Sequence, residues 1–180
     1  MLEDRLLVWK IKNGDRDALR QVYEKYKNDI LTIAQSMVNE QSEAEDILHD
    51  VFISFARAAK HFQVYGSLKG YLITCTVNKI RDRFRKKMYQ IVELERLGRI
   101  ESNLEGSERP TVANEESEIL NNALAKIPLQ QREVIVLNLQ AGLKFSQIAH
   151  IQNIPTNTVR ARYYYGIEKL RSILDRTMIE

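Results

Sequence analysis

The sequence holds one cysteine, Cys75, with three prolines and seven glycines in 180 residues. A lone cysteine cannot form an internal disulfide, which points to a reducing, cytoplasmic setting. So few turn formers exclude collagen-like and linker-like chains and argue against an all-β chain with many tight turns. Long apolar runs are also missing. No stretch approaches the roughly 20 apolar residues of a membrane span. The start, MLEDRLLVWK, carries acids early and only a short apolar run from Leu6 to Trp9, unlike a signal peptide. With 44% hydrophobic and 28% charged residues, the chain has the make-up of a folded helical protein.

The net charge of +3 is small, but it is unevenly spread. Residues 1–88 hold 16 basic and 12 acidic side chains, residues 89–118 hold 3 and 8, and residues 119–180 hold 8 and 4. The middle stretch contains Gly98, Gly106 and Pro110 and no sustained helical stripe. It reads as a flexible acidic linker between two basic helical domains.

Apolar spacing supports an all-α fold. Leu19, Val22, Tyr23, Tyr26, Ile30, Ile33, Ala34 and Met37 trace one helical face. Asp15 or Asp17 can cap that helix after the stop at Asn13-Gly14. Ser42 to Glu45 has capping-box spacing and opens a second helix. Ser67 can cap a third, running to about Lys87. After the linker, a helix begins near Ile119 and breaks at Pro128. Helices at about Leu129–Gln140, Phe145–Ile151 and from Pro155 onward follow. No strand pattern and no fixed-period repeat occurs.

Three constellations carry chemistry. Residues 128–171 read as helix, glycine turn, short helix, turn, helix: a helix-turn-helix. An ordinary three-helix packing unit is the bland alternative. It is weakened by the outward set Thr156, Asn157, Arg160, Arg162, Tyr164 and Tyr165, which suits phosphates and base edges. The second is the basic run Lys79, Arg81, Arg83, Arg85, Lys86 and Lys87, either a phosphate track or a solvated helix end. The third is Glu45, Asp46, His49 and Asp50. Asp46 and His49 have the i, i+3 spacing of carboxylate-bridged metal sites, but no second acid-x-x-His supports one. A polar face that docks a partner fits better. No metal, no cofactor and no catalytic residue is expected, so the chain reads as a binding protein rather than an enzyme.

Together these residues resemble the bacterial sigma factors of the extracytoplasmic-function type. Ala44 to Phe52 is similar to the family's polymerase-docking helix. Gly66 to Leu72, with Asn78, Asp82 and Arg85, is similar to its −10-binding helix. Ile127-Pro128 through Arg132-Glu133-Val134, Gly142, Ile148-Ala149, Thr158-Val159-Arg160, Arg162 and Lys169-Leu170-Arg171 resembles its −35-reading domain. The resemblance implies two small domains: a region 2 bundle at 1–88 and a region 4 helix-turn-helix at 119–180, joined by the linker at 89–118. It implies an alternative sigma factor that binds core RNA polymerase, at the β′ clamp and β flap, and directs promoter melting and initiation. Asp46, Leu48, His49, Asp50 and Phe52 are then expected at the polymerase. Phe62, Tyr65, Gly66, Ser67, Lys69, Asn78, Arg81, Arg83, Arg85 and Lys86 are expected at −10 DNA. Thr156, Asn157, Thr158, Arg160, Ala161, Arg162, Tyr164 and Tyr165 are expected at −35 DNA. An anti-sigma partner is common in the family. Some positions depart from its pattern: His49 stands where glutamine is usual, Lys144 where a capping serine is usual, and Tyr165 and Ile167 where arginines are common. The competing readings are a free-standing helix-turn-helix regulator and, more remotely, a helical metalloenzyme.

Overall fold

The computed structural model describes residues 2–38, 40–59, 67–96 and 115–177. Among these residues there are eight α-helices and no strand. α1 spans Leu2–Lys12, with Glu3 and Asp4 in its first turn and Lys10 and Lys12 in its last. That charge order complements the helix dipole. Gly14, at φ +86°, turns the chain, and the Asp15 carboxylate caps α2 (Arg16–Met37) by accepting from the Ala18 N–H at 3.0 Å. α3 is Gln41–Ala58. Here the capping-box expectation is corrected. Glu40 is the cap residue and makes no side-chain cap bond. Ser42 therefore lies inside the first turn, and Gln41 instead donates to Glu45 at 2.8 Å across one helical turn.

α4 spans Leu68–Arg96 and is capped as expected, the Ser67 hydroxyl accepting from the Gly70 N–H at 2.9 Å. It extends well past Lys87, into the stretch expected to be linker. Residues 88–96 carry Met88, Ile91 and Val92 at helical spacing and contain no glycine or proline. A nucleated helix elongates through such residues at little cost. At the other end, α5 (Glu115–Ala125) begins before Ile119. α6 is Leu129–Leu139, α7 is Phe145–Gln152 and α8 is Thr156–Thr177. Residues 97–114, the rest of the expected linker, lie outside the described residues.

The first half packs α1, α3 and α4 around α2. Val22, Ile30, Ile33, Ile47, Val51, Phe55, Leu72 and Ile80 are buried there. Burying a side chain such as Phe55 stabilises by roughly 1.5–3 kcal/mol. The Tyr23 and Phe52 rings meet edge-on at 4.9 Å. In the second half, α6 is buried on every side from Arg132 to Leu137. α8 crosses it at Gly166, where an added Cβ would come within 2.8 Å of Ile135 Cδ1 and 3.1 Å of Gln131 Cβ. Only glycine allows that approach. The halves also touch, since α2 packs against α5 and α6.

Candidate nucleic-acid interface

The acidic face of α3 is built against α4. Asp46 and Asp50 stand one turn apart on α3. Arg83 of α4 reaches Asp50 at 3.4 Å and Asp46 at 3.9 Å, and Lys79 lies 3.9 Å from Asp50. His49 is exposed beside them. Leu48 and Phe52 are 5% and 7% exposed, so both pack in the core and neither offers a surface to a partner. The resemblance set them beside the docking face, for apolar contact or for packing, and they pack. Their apolar spacing places them on the inward side of the same helix.

The basic run on α4 does not form one track. A helix turns about 100° per residue, so neighbouring cations face different ways. Lys79 and Arg83 point at the acids of α3. Arg81 points the opposite way and grips the carboxylate of Glu133 on α6 through both Nε and Nη2. Arg85 pairs with Asp82 at 2.8 Å, while Lys86 and Lys87 are exposed. Asn78 is exposed. Lys69 pairs with Asp29 at 2.7 Å. Phe62, Tyr65 and Gly66 lie outside the described residues.

α8 carries its polar set openly. Asn157, Arg160, Ala161, Tyr164 and Tyr165 are exposed, and Thr156 and Thr158 are half-buried. The turn before it is sharp: Asn153 takes a left-handed conformation at φ 53°, and the Ile154 N–H donates to the Ala149 carbonyl at 3.1 Å. Ile148 and Val159 are fully buried between α7 and α8. Phe145 packs on Tyr163, with ring centroids 5.2 Å apart. α7 starts at Lys144, which makes no side-chain cap. Gln147 supplies the other half of a capping box by accepting from the Lys144 N–H at 2.8 Å. Arg162 is only half-open, donating to Gln152 at 3.0 Å.

This geometry is a helical bundle followed by a helix-turn-helix with an open polar helix. Residues 22–88 match the model of Sigma-70 region 2, and residues 117–170 match that of Sigma-70, region 4. The chain belongs to the sigma-70 family. It is an alternative sigma factor of the extracytoplasmic-function type. It resembles the ECF RNA polymerase sigma factor SigW of Bacillus subtilis, at 30% identity over 92% of this chain and 93% of that one. It also resembles the sigma factor CnrH of Cupriavidus metallidurans, at 25% identity over 96% and 94% of the two chains. In fold it is similar to CnrH solved with the cytosolic domain of CnrY (TM-score 0.69, 22% identity, 97% and 98% covered). It is likewise similar to RpoE of Bartonella quintana solved with the anti-sigma factor NepR (TM-score 0.72, 18% identity, 87% and 96% covered). A sigma factor binds core RNA polymerase and promoter DNA and directs transcription initiation. A free-standing regulator would not carry the region 2 match.

Several residues of this sigma factor gained their place only from the structure. Arg132 is 6% exposed and, among the described residues, has no carboxylate partner. It donates to the carbonyls of Met37, Ala125 and Ile127 at 2.7, 2.5 and 3.2 Å, and burial lowers its pKa to about 10. Glu133 is 2% exposed and accepts from Arg81 and from Gln152. Burial also pushes the Cys75 thiol up from its ordinary value. Among the described residues, no cluster of histidine, cysteine and carboxylates could hold a metal, and no helix is long and apolar enough to cross a membrane.

Proposed function

We propose that this sigma factor divides its work among three helices. The segment 1–88 serves polymerase docking and the −10 element, 89–118 is the connecting strap, and 119–180 serves the −35 element. Asp46, His49 and Asp50 on α3 face the polymerase. Asn78 with residues 62–70 captures an unstacked base of the non-template strand. Capture offsets an unstacking cost of a few kcal/mol, so melting needs no ATP and the chain acts without being an enzyme. Arg85 and Lys86 hold backbone phosphates. Arg160, Ala161, Tyr164 and Tyr165 lie in the major groove at −35. Tyr164 and Tyr165 stack on sugar or thymine methyl groups, where arginines would grip phosphates.

The observation that carries this reading is the open outer face of α8, whose opposite side is seated on α6 and α7. A cytoplasmic location follows from the partner, because core polymerase is there. An anti-sigma protein is a further partner of this reading. It is supported by CnrH and RpoE, whose structures were solved with CnrY and NepR. The test is transcription in vitro from a genomic template with purified core polymerase. Initiation at discrete promoters, weakened in core binding by Asp46→Ala with Asp50→Ala, is the expected result. Failure to bind core or to initiate at any promoter overturns the reading.

A further inference from the structure

α1 has two apolar faces, and the fold uses one of them. A helix turns about 100° per residue. Leu7, Val8 and Ile11 fall on one side and pack into the core beside α2. Leu2, Leu6 and Trp9, at i, i+4 and i+7, fall within roughly 60° of arc on the other side. Their exposures are 86%, 53% and 61%. Three exposed apolar side chains in one line differ from singly scattered ones. They form a ridge about 10 Å long.

The borders of the ridge are basic. Arg5 and Lys12 lie along one edge, both exposed, and the half-buried Lys10 lies along the other. The two acids of the helix are drawn away. Lys25 of α2 donates to Glu3 at 2.6 Å and to Asp4 at 2.9 Å, and Asp4 is buried. The start of α2 adds Arg16, Asp17 and Arg20, all exposed.

We infer that this face of α1 is a peripheral membrane-binding surface, laying Leu2, Leu6 and Trp9 into the headgroup boundary of an anionic bilayer while Arg5, Lys10 and Lys12 meet the lipid phosphates. The role goes beyond polymerase and promoter binding and uses none of the residues assigned to them. An apolar stripe carrying tryptophan and leucine between cations is the pattern of a helix that lies in a membrane interface. Shape favours a flat occupant. α2 holds the inner side of α1, so the stripe stands as a convex ridge, and a partner's groove has to clear α2 as well. Leu2 and Leu6 have no ring on which a base could stack, so a nucleic acid would use Trp9 alone. A second copy meets like charge with like charge, and three residues fall short of the roughly 800 Å² per partner of a stable interface.

The test uses the full free chain and vesicles of equal parts phosphatidylglycerol and phosphatidylcholine. Trp9 is the sole tryptophan, so tryptophan emission reports α1 alone. A blue shift on these vesicles, with quenching by acyl-brominated lipid and little response to phosphatidylcholine alone, is the expected result. Leu6→Ser should lower vesicle affinity about fivefold. Arg5→Gln with Lys12→Gln should lower it about 25-fold, at roughly fivefold per cation. These positions are exposed, and circular dichroism checks that each variant is folded. Emission of the unaltered chain that stays put on anionic vesicles overturns the proposal, whatever the variants do. Sedimentation with vesicles without an emission shift assigns the binding to another basic face and overturns it too. Three other results, each in place of a vesicle response, give the face to another occupant. A lipid-free blue shift that grows with protein concentration gives it to a second copy. Quenching by a thymidine strand gives it to nucleic acid. Weaker binding of core polymerase by Leu6→Ser gives it to the polymerase.

Discussion

α4 and α8 are both long helices rich in cations and aromatic side chains, and the sequence assigned both to DNA. Their surroundings differ. On α8, Arg160, Tyr164 and Tyr165 project freely, because the helix buries Val159, Gly166 and Leu170 on one narrow side. On α4, Lys79 and Arg83 turn to the acids of α3 and Arg81 turns to Glu133. Cations per residue thus measure a helix's capacity for phosphates, and the neighbouring acids set how much of it is free. α8 reads as a finished recognition surface. α4 reads as one whose charge is shared between the fold and the DNA.

The largest expected effect tests the open half of that contrast. Arg160→Ala should weaken binding to the −35 element by about 1–3 kcal/mol if the guanidinium forks onto a base edge. Titration of matched and scrambled −35 duplexes checks it. An equal loss on both would make Arg160 a phosphate contact, and α8 would then resemble α4 more than it differs. Next comes the seat that leaves the α8 face open. Gly166→Val forces a side chain into Ile135 and Gln131, and overpacking of that kind costs about 2 kcal/mol. Chemical denaturation should show the loss, with −35 affinity falling in parallel.

A smaller effect concerns another cation used inside the fold. Lys25 is held by Glu3 and Asp4 at 2.6 and 2.9 Å, and the Tyr26 hydroxyl donates to Asp4 at 2.8 Å. Burial pushes the Asp4 pKa up, but the bonds from Lys25 and Tyr26 outweigh it and leave the pKa below its usual 3.8. Burial and the bond to Asp4 raise the Tyr26 pKa to about 12. A carboxyl with a depressed folded pKa stabilises above its unfolded value, and that contribution is lost as pH falls through the folded value. Asp4→Asn should cost about 1 kcal/mol at neutral pH. The gap from wild type should narrow as the pH drops below 3.8, read from denaturation midpoints across pH.

Much of this was legible in the chain. The stripe from Leu19 to Met37, the Asp15 and Ser67 caps and the turns at Gly14 and Gly142 depend on local spacing, and they fell where spacing put them. Helix ends without a breaker did not: α4 ran on to Arg96 because nothing before Gly98 stops it. The tertiary partners of charged residues were hidden for a different reason. Arg81 and Glu133 lie 52 positions apart, and no periodicity links them. Arg132 and Glu133 sit next to each other in a helix buried on all sides, where a polar pair is ordinarily read as the wet face. Gly166 carries no local signal of its role, which is set by the crossing of α6.

The smallest effect decides most directly between a spent and an available cation. Arg83 lies 3.4 Å from Asp50 and 3.9 Å from Asp46, with its side chain 29% exposed. Among the described residues Arg85 pairs with its helical neighbour Asp82, and its side chain is 68% exposed. Arg83→Ala should cost no more than about 1 kcal/mol of stability, the worth of a partly exposed pair. It should leave the salt dependence of −10 strand binding unchanged. Arg85→Ala should do the reverse, reducing the slope of log affinity against log salt by about one while stability holds. Affinity measured from low to high salt on the holoenzyme separates the two. Equal slopes for both variants would return Arg83 to the DNA face and make α4 as open as α8.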